Sequence, residues 1–74
     1  MQYSFLSEYD KRLLREHKSV KFQPWPMTKL LRIQKVFIGR PSAKWCIFFL
    51  GGFVGYADTY GESIALRKRM WENC

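Results

Sequence analysis

An uncharged, mostly apolar run in the second half of the chain constrains its fold more than any other feature. The run covers residues 45–57, thirteen residues with no charged side chain, between Lys44 and Asp58. As a helix it would be about 20 Å long, against a membrane hydrocarbon core of about 30 Å. Extension to residues 43–60 gives about 27 Å, with Lys44 able to reach lipid headgroups. The run therefore predicts a short transmembrane helix.

Three glycines interrupt this run. Gly51 and Gly55 form a G-x-x-x-G pair, and Gly52 lies beside them. In water each glycine would destabilise a helix by roughly 1 kcal/mol relative to alanine. In a membrane, a glycine face lets a second helix backbone approach closely. We therefore expect Gly51, Gly52 and Gly55 to pack against another helix.

A β-hairpin is the rival interpretation of the same run. Residues 45–50 and 53–57 would form the strands and Gly51-Gly52 the turn, since two apolar segments separated by two glycines are typical of hairpins. Neither segment alternates apolar and polar residues, so both faces of the strands would need burial. Because a chain of 74 residues has little material to cover both faces, the helix is favoured.

The N-terminal half predicts two helices joined by an extended connector. Ser7, with an acidic residue three positions later, is a helix start signal and predicts a basic helix over residues 8–18. Two prolines around Trp25 predict the extended connector. Residues 29–38 follow Thr28 as a helix N-cap, with an apolar side and a basic side. This amphipathic helix either lies among lipid headgroups or packs its apolar side on a core.

Two sets of side chains are assigned to contacts with neighbouring molecules. Tryptophan and tyrosine are typical of membrane interfaces, and lysine and arginine of contacts with anionic headgroups or an acidic partner. The predicted interface anchors are Trp25, Trp45, Tyr56 and Tyr60. The predicted headgroup or acidic-partner contacts are Lys29, Arg32, Lys35, Arg40 and Lys44.

Charged and apolar side chains mix after the apolar run, and residues 58–74 predict a charged helical tail. Asp58 and Glu62 share one helical face, so they are expected to be buried or paired charges. The predicted fold is mostly α. It comprises a basic N-terminal arm over residues 1–44 with one or two helices, then a long helix that begins with the transmembrane segment, 45–57, and continues into the tail.

Charge and composition exclude several classes of chemistry. Thirteen Lys and Arg oppose six Asp and Glu, a net charge of +7, and the excess lies in residues 1–44. This predicts an anionic partner, whether nucleic acid, lipid or acidic protein. The one histidine, His17, lies among charged residues, and Cys46 and Cys74 have no metal-ligand spacing with it. No enzymatic activity, cofactor, metal site or small-molecule substrate is therefore expected.

The end of the apolar run resembles a known family. The sequence Gly-Phe-Val-Gly-Tyr-Ala-Asp at residues 52–58 is followed by Glu62 and by Arg67-Lys68-Arg69. This pattern resembles the MNLL-type accessory subunit of mitochondrial NADH:ubiquinone oxidoreductase, complex I. The resemblance implies a non-catalytic, single-pass protein of the mitochondrial inner membrane. Such a protein stabilises a respiratory complex by packing against its larger subunits and anionic lipid headgroups.

A different function stays open on the same composition. The net charge, with basic residues next to aromatic ones as in Lys21-Phe22 and Lys44-Trp45, is also typical of a soluble RNA-binding or ribosome-associated protein. The densest aromatic cluster, however, lies in the apolar run, which carries no charge. That distribution favours membrane or protein contact over RNA.

Overall fold

Most of the chain between residue 31 and residue 57 folds into strands, which join a short N-terminal strand in one antiparallel sheet. The computed structural model describes residues 2–20, 25–37 and 43–73. The elements in chain order are β1 (Gln2–Ser4), α1 (Glu8–Lys18), α2 (Met27–Leu30), β2 (Leu31–Phe37), β3 (Ala43–Phe49), β4 (Gly52–Ala57) and α3 (Tyr60–Glu72). The strands lie in the order β1-β4-β3-β2, so β1 and β2 are the edges of the sheet.

The prediction of a mostly α fold is wrong. The apolar run forms β3 and β4 instead of a transmembrane helix, and the predicted second helix keeps only one turn, α2, before β2 begins. In β2 the apolar Leu31 and Ile33 alternate with the polar Arg32 and Gln34, which is the period of a strand. Leu31 is fully buried and Arg32 is exposed, so the alternation corresponds to the two faces of the sheet.

The two faces of the β3–β4 hairpin bury apolar side chains in different ways, which is why its strands need not alternate: helices pack on one face, and aromatic rings pack against one another on the other while staying partly exposed. Ile47, Phe49 and Val54 pack with helix residues in the core. On the other face, the rings of Phe48 and Phe53 pack edge to face with their centres 6.0 Å apart. A run that is apolar on both sides therefore forms two strands in this small chain, whereas the helix had been favoured because a chain of this length has little material to cover both faces.

The hairpin turns through Leu50 and Gly51, one residue earlier than the Gly51-Gly52 turn of the rival interpretation. Phe49 and Gly52 form the last pair of the β3–β4 ladder, which leaves a two-residue loop. Both loop residues have positive φ, 51° at Leu50 and 86° at Gly51. Two positive φ angles are the pattern of a type I′ turn, whose twist matches that of the strands. Gly51 adopts this conformation freely, whereas Leu50 is strained by it.

Side-chain caps begin the two long helices. Ser7 Oγ accepts a hydrogen bond from the backbone N–H of Asp10 at 3.1 Å, and the Asp10 carboxylate accepts one from the Ser7 N–H at 3.4 Å. This capping box begins α1, and the helix predicted over residues 8–18 is confirmed. At the start of α3, Thr59 Oγ1 accepts a hydrogen bond from the backbone N–H of Glu62 at 3.2 Å. Within the described residues, the charged tail is therefore helical from Tyr60 to Glu72.

The core lies between the helices and one face of the sheet. All three helices contribute to it, together with β2, β3 and β4. Its position defines an inner face of the sheet, which carries the helices, and an opposite outer face. The buried members of the core are Leu14, Leu30, Leu31, Ile47, Phe49, Val54, Leu66 and Met70.

The predicted membrane helix has no counterpart in the described part of the chain. Among residues 2–20, 25–37 and 43–73, no helix combines the length and apolar character that a membrane crossing requires. The run at 45–57 is divided between two strands, which removes the segment on which a single pass depended. The predicted single-pass localisation in the mitochondrial inner membrane is therefore not supported.

We expect Leu50→Asn to stabilise the fold. Asn tolerates the left-handed conformation far better than Leu does, and the Leu50 side chain is 51% exposed, so little core contact is lost. Relief of about 1 kcal/mol corresponds to a rise in Tm of roughly 4–8 °C, measurable by circular dichroism. Leu50→Ala is the matched control, because alanine stays strained at positive φ. Equal Tm values for the two variants would contradict the assignment.

Candidate functional site

The outer face of the sheet is the candidate functional site. The described helices pack on the inner face, and cross-strand pairing shows which side chains share the outer one. Tyr3 pairs with Tyr56, Tyr56 with Cys46, and Cys46 with Gln34, so these four side chains form one row across all four strands. The outer face comprises Tyr3, Arg32, Gln34, Val36, Lys44, Cys46, Phe48, Phe53 and Tyr56, with Phe5 directly beyond β1.

Aromatic rings dominate the β1–β4 half of this face. The Tyr3 ring stacks on Phe5 and on Tyr56, at centre distances of 5.5 Å and 5.6 Å. Phe53 lies 5.5 Å from Phe5 and 6.5 Å from Tyr56, which closes a four-ring square. With Phe48 beside Phe53, these rings form what we name the aromatic cluster. Tyr3, Phe5 and Phe53 remain 49%, 49% and 48% exposed, so about half of each side chain still faces solvent.

A β-bulge in β4 is responsible for this concentration of rings. Ile47 pairs with Gly55 but the next residue of β3, Phe48, pairs with Phe53, which leaves Val54 as an extra residue. Without the bulge Phe53 and Tyr56, three positions apart, would point to opposite faces. The extra residue turns the Val54 side chain into the core and places both rings on the outer face.

Backbone contacts hold β1 and the rings of Tyr3 and Phe5 against β4. The Phe5 N–H donates a hydrogen bond to the Val54 carbonyl at 2.6 Å, one residue beyond the three pairs of the β1–β4 ladder. At Gly55, an added Cβ would lie 2.5 Å from the Tyr3 carbonyl oxygen and 2.7 Å from Met70 Cε. The backbone of β1 can therefore approach β4 this closely only because residue 55 has no side chain.

Of the three glycines expected to pack against a helix, none lies in a helix. Gly51 is in the hairpin turn, and Gly52 and Gly55 are in β4. Close approach does occur at Gly55, but the approaching groups are the backbone of β1 and the side chain of Met70.

The charged side chains of the outer face, among the described residues, are cationic. Arg32 lies directly opposite Phe48, and Lys44 opposite Val36 at the end of β3. Within the described ranges Arg32 makes no ion pair, whereas Lys44 donates a hydrogen bond to the Asp58 carboxylate. That hydrogen bond raises the pKa of Lys44 and lowers the pKa of Asp58. The Lys44 ammonium also lies 5.9 Å from the centre of the Tyr56 ring.

The predicted interface anchors lie at three separate places. Tyr56 belongs to the aromatic cluster, while the Trp45 ring packs edge to face on Tyr60 at 4.8 Å, on the inner side of the sheet. Trp25, before α2, contacts the His17 ring edge to face at 5.9 Å. The anchors therefore form no single belt.

The predicted basic contacts are dispersed in the same way. Lys29 lies 4.5 Å from the centre of the Trp25 ring, and Lys35 lies between Phe37 and Trp45. Arg32 and Lys44 share the outer face, and Arg40 lies outside the described residues. Of the two acidic residues expected to be paired or buried, Asp58 pairs with Lys44 and Glu62 lies in the first turn of α3.

Sequence reasoning missed four members of the cluster: Tyr3, Phe5, Phe48 and Phe53. A signal for the first two was present, since Tyr3 and Phe5 are two positions apart and a strand would place them on one face. The face of the sheet on which Phe53 lies could not be predicted from this spacing, because it depends on the bulge.

Covalent and metal chemistry find little support in the described residues. Burial raises the pKa of the Cys46 thiol, so the group is a poor nucleophile at neutral pH. Within the described ranges, no three His, Cys, Asp or Glu side chains are grouped as metal ligands. The chemistry that the outer face offers is stacking and cation contact.

No protein family, curated protein or solved structure matches this chain. The function is therefore inferred from the outer face and from the distribution of charge around it.

We expect Gly55→Ala to destabilise the protein by about 1–3 kcal/mol, because the added methyl group meets the fixed carbonyl of Tyr3. Urea unfolding measures the difference. Gly61→Ala is the matched control: no atom lies within 4 Å of its added Cβ, and alanine favours the helix by up to about 1 kcal/mol. A Gly55→Ala protein as stable as the wild type would show that β1 is not held at this distance.

We expect the contribution of Asp58 to stability to depend on pH. Its pKa is lowered in the folded protein, so the stabilisation is complete above the unfolded value of about 3.9 and is lost as pH falls through the folded value. The pKa of Lys44 is raised in the folded protein, so the stabilisation that the Lys44 ammonium contributes is complete below the unfolded value of about 10.4 and is lost as pH rises through the folded value. Thermal unfolding from pH 2 to 8 should therefore show Asp58→Asn less stable than wild type near neutrality and equal to it at the acid end. A pH-independent difference would contradict the ion pair.

Proposed function

We propose that this protein binds single-stranded RNA on the outer face of its sheet. The observation that supports the proposal is the aromatic cluster, in which Tyr3, Phe5 and Phe53 are about half exposed on the same face of the sheet as Arg32 and Lys44. Nucleobases stack on such rings, and the ribose-phosphate backbone is attracted by the neighbouring cations.

Stacking provides the sequence-independent part of the affinity. Each base that stacks on an aromatic side chain contributes about 1–3 kcal/mol, and sheet-based RNA-binding modules stack two or three bases. Tyr3, Phe5 and Phe53 are the three rings of the cluster with about half of their surface exposed. Because they adjoin each other, a few consecutive bases can cover them.

Charge adds attraction and orientation. The chain carries +7 overall, which favours a polyanion over an apolar protein surface as the occupant of this face. Arg32 offers a guanidinium fork for a phosphate or for a base edge, since no carboxylate of the described residues holds it. Lys44, paired with Asp58, orders the end of the face more than it attracts RNA.

The accessory-subunit function in a respiratory complex stays a prediction from the sequence. Residues 45–57, which it required as a membrane helix, form β3 and β4. No described feature favours it as a second candidate.

We expect Phe53→Thr to weaken binding of a short fluorescein-labelled oligouridine roughly 5- to 150-fold, the equivalent of one lost stacking contact. Threonine keeps the strand propensity, and fluorescence anisotropy gives the Kd. Phe37→Thr is the matched control, since Phe37 is 74% exposed in β2 but lies on the inner side of the sheet. Arg32→Gln should lower the slope of log affinity against log salt by about 0.7, and Arg12→Gln on α1 should not.

Equal effects of the two Phe→Thr variants, or no salt-dependent binding by the wild type, would contradict the proposal. Self-association in light scattering that Phe53→Thr abolishes, together with absent RNA binding, would assign the face to a second copy of the chain.

A further inference from the structure

A groove of about 310 Å³ lies on the other side of β1 from the aromatic cluster, between the N-terminal half of α1 and the end of α3. Leu66 and Met70 of the core form its apolar floor. Its polar lining consists of Gln2, Ser4, Lys11, Arg69 and Asn73.

Every polar side chain of the lining can donate a hydrogen bond. It contains two cations, Lys11 and Arg69, two amides and a hydroxyl, and no carboxylate. Arg69 donates a hydrogen bond to the Gln2 side-chain oxygen, which fixes the guanidinium while most of its five N–H groups stay available to a ligand. Lys11 pairs with Glu8 at 3.4 Å, but the Glu8 side chain is 90% exposed, so a ligand can displace this weak pair.

The chemistry of this lining suits a small oxyanion. A guanidinium fork, an ammonium group and neutral donors around one space match the several acceptor oxygens of a phosphate. The volume is at the small end of ligand sites, with room for one phosphate and its attached sugar.

The strand β1 connects this groove to the aromatic cluster. Gln2 and Ser4 line the groove, and Tyr3 between them points to the outer face, because side chains alternate along a strand. Among the described strands β1 is an edge of the sheet, so an RNA strand that leaves the Tyr3 ring can pass around that edge.

We infer that the groove is a phosphate site, which holds a backbone phosphate of the same RNA strand whose bases stack on the aromatic cluster. That the phosphate belongs to RNA rests on the proposed function. That the groove binds a phosphate rests on the groove residues alone. One strand thus contacts both sides of β1.

Two measurements test the parts separately. Titration of the ¹⁵N-labelled protein with inorganic phosphate, at ionic strength held constant with chloride, should shift the backbone amides of Ser4, Lys11, Arg69 and Asn73. Arg69→Gln should remove the shifts, and Lys68→Gln, one residue away on α3 and paired with Glu72, should retain them. In anisotropy titrations with oligouridine, Lys11→Gln and Arg69→Gln should each lower the salt slope by about 0.7, and Lys68→Gln should leave it unchanged.

Lys11→Gln keeps the test decisive if loss of the Arg69–Gln2 hydrogen bond unfolds β1, because Lys11 has only an exposed partner. Wild-type RNA binding with unchanged slopes in both groove variants, and no phosphate shifts, would overturn the groove and leave the proposed function standing. Phosphate shifts without any RNA binding would overturn the proposed function and the groove's role in it, and retain an anion site.

Discussion

The register of β4 against β3 decides which side chains of this protein meet solvent. At the bulge β4 has one extra residue, Val54, whose side chain lies in the core. The bulge changes which face of the sheet the residues before Val54 point to. Phe53 and Tyr56 then share a face with Phe48, and β1 adds Tyr3 to the same surface. Loss of that single register shift would exchange inner and outer side chains along part of β4, with Phe53 directed into the core and the face it occupies left without its central ring.

The elements that local chemistry specifies were predictable from the sequence. The capping box at Ser7, which involves only neighbouring residues, determines where α1 begins. The charged segment after residue 58 likewise has a helical pattern of its own. Residues 29–38 illustrate the opposite case. Their apolar side chains fit a helical stripe and a strand alternation almost equally well, and only contact with β3 decides between them.

The hairpin was harder to predict, because it is stabilised by packing against elements that are distant in the sequence. Strands that are apolar on both sides carry no period-2 signal, and a bulge shifts whatever signal remains. For the same reason the site was only partly predictable. Tyr56, Arg32 and Lys44 stood out as aromatic or basic residues, but their grouping with Tyr3 and Phe53 required the sheet order β1-β4-β3-β2.

The pairing of β1 with β4 joins two segments more than fifty residues apart in the chain, as in the pair Gln2 and Ala57. Contacts of such long sequence separation carry an entropic cost, because a large loop must close before they contribute any stability. β1 is only three residues long, so it gains little until β4 and α3 are both in place to receive it. We therefore expect the docking of β1 to complete both surfaces on its two sides, so that a molecule in which β1 is undocked has neither.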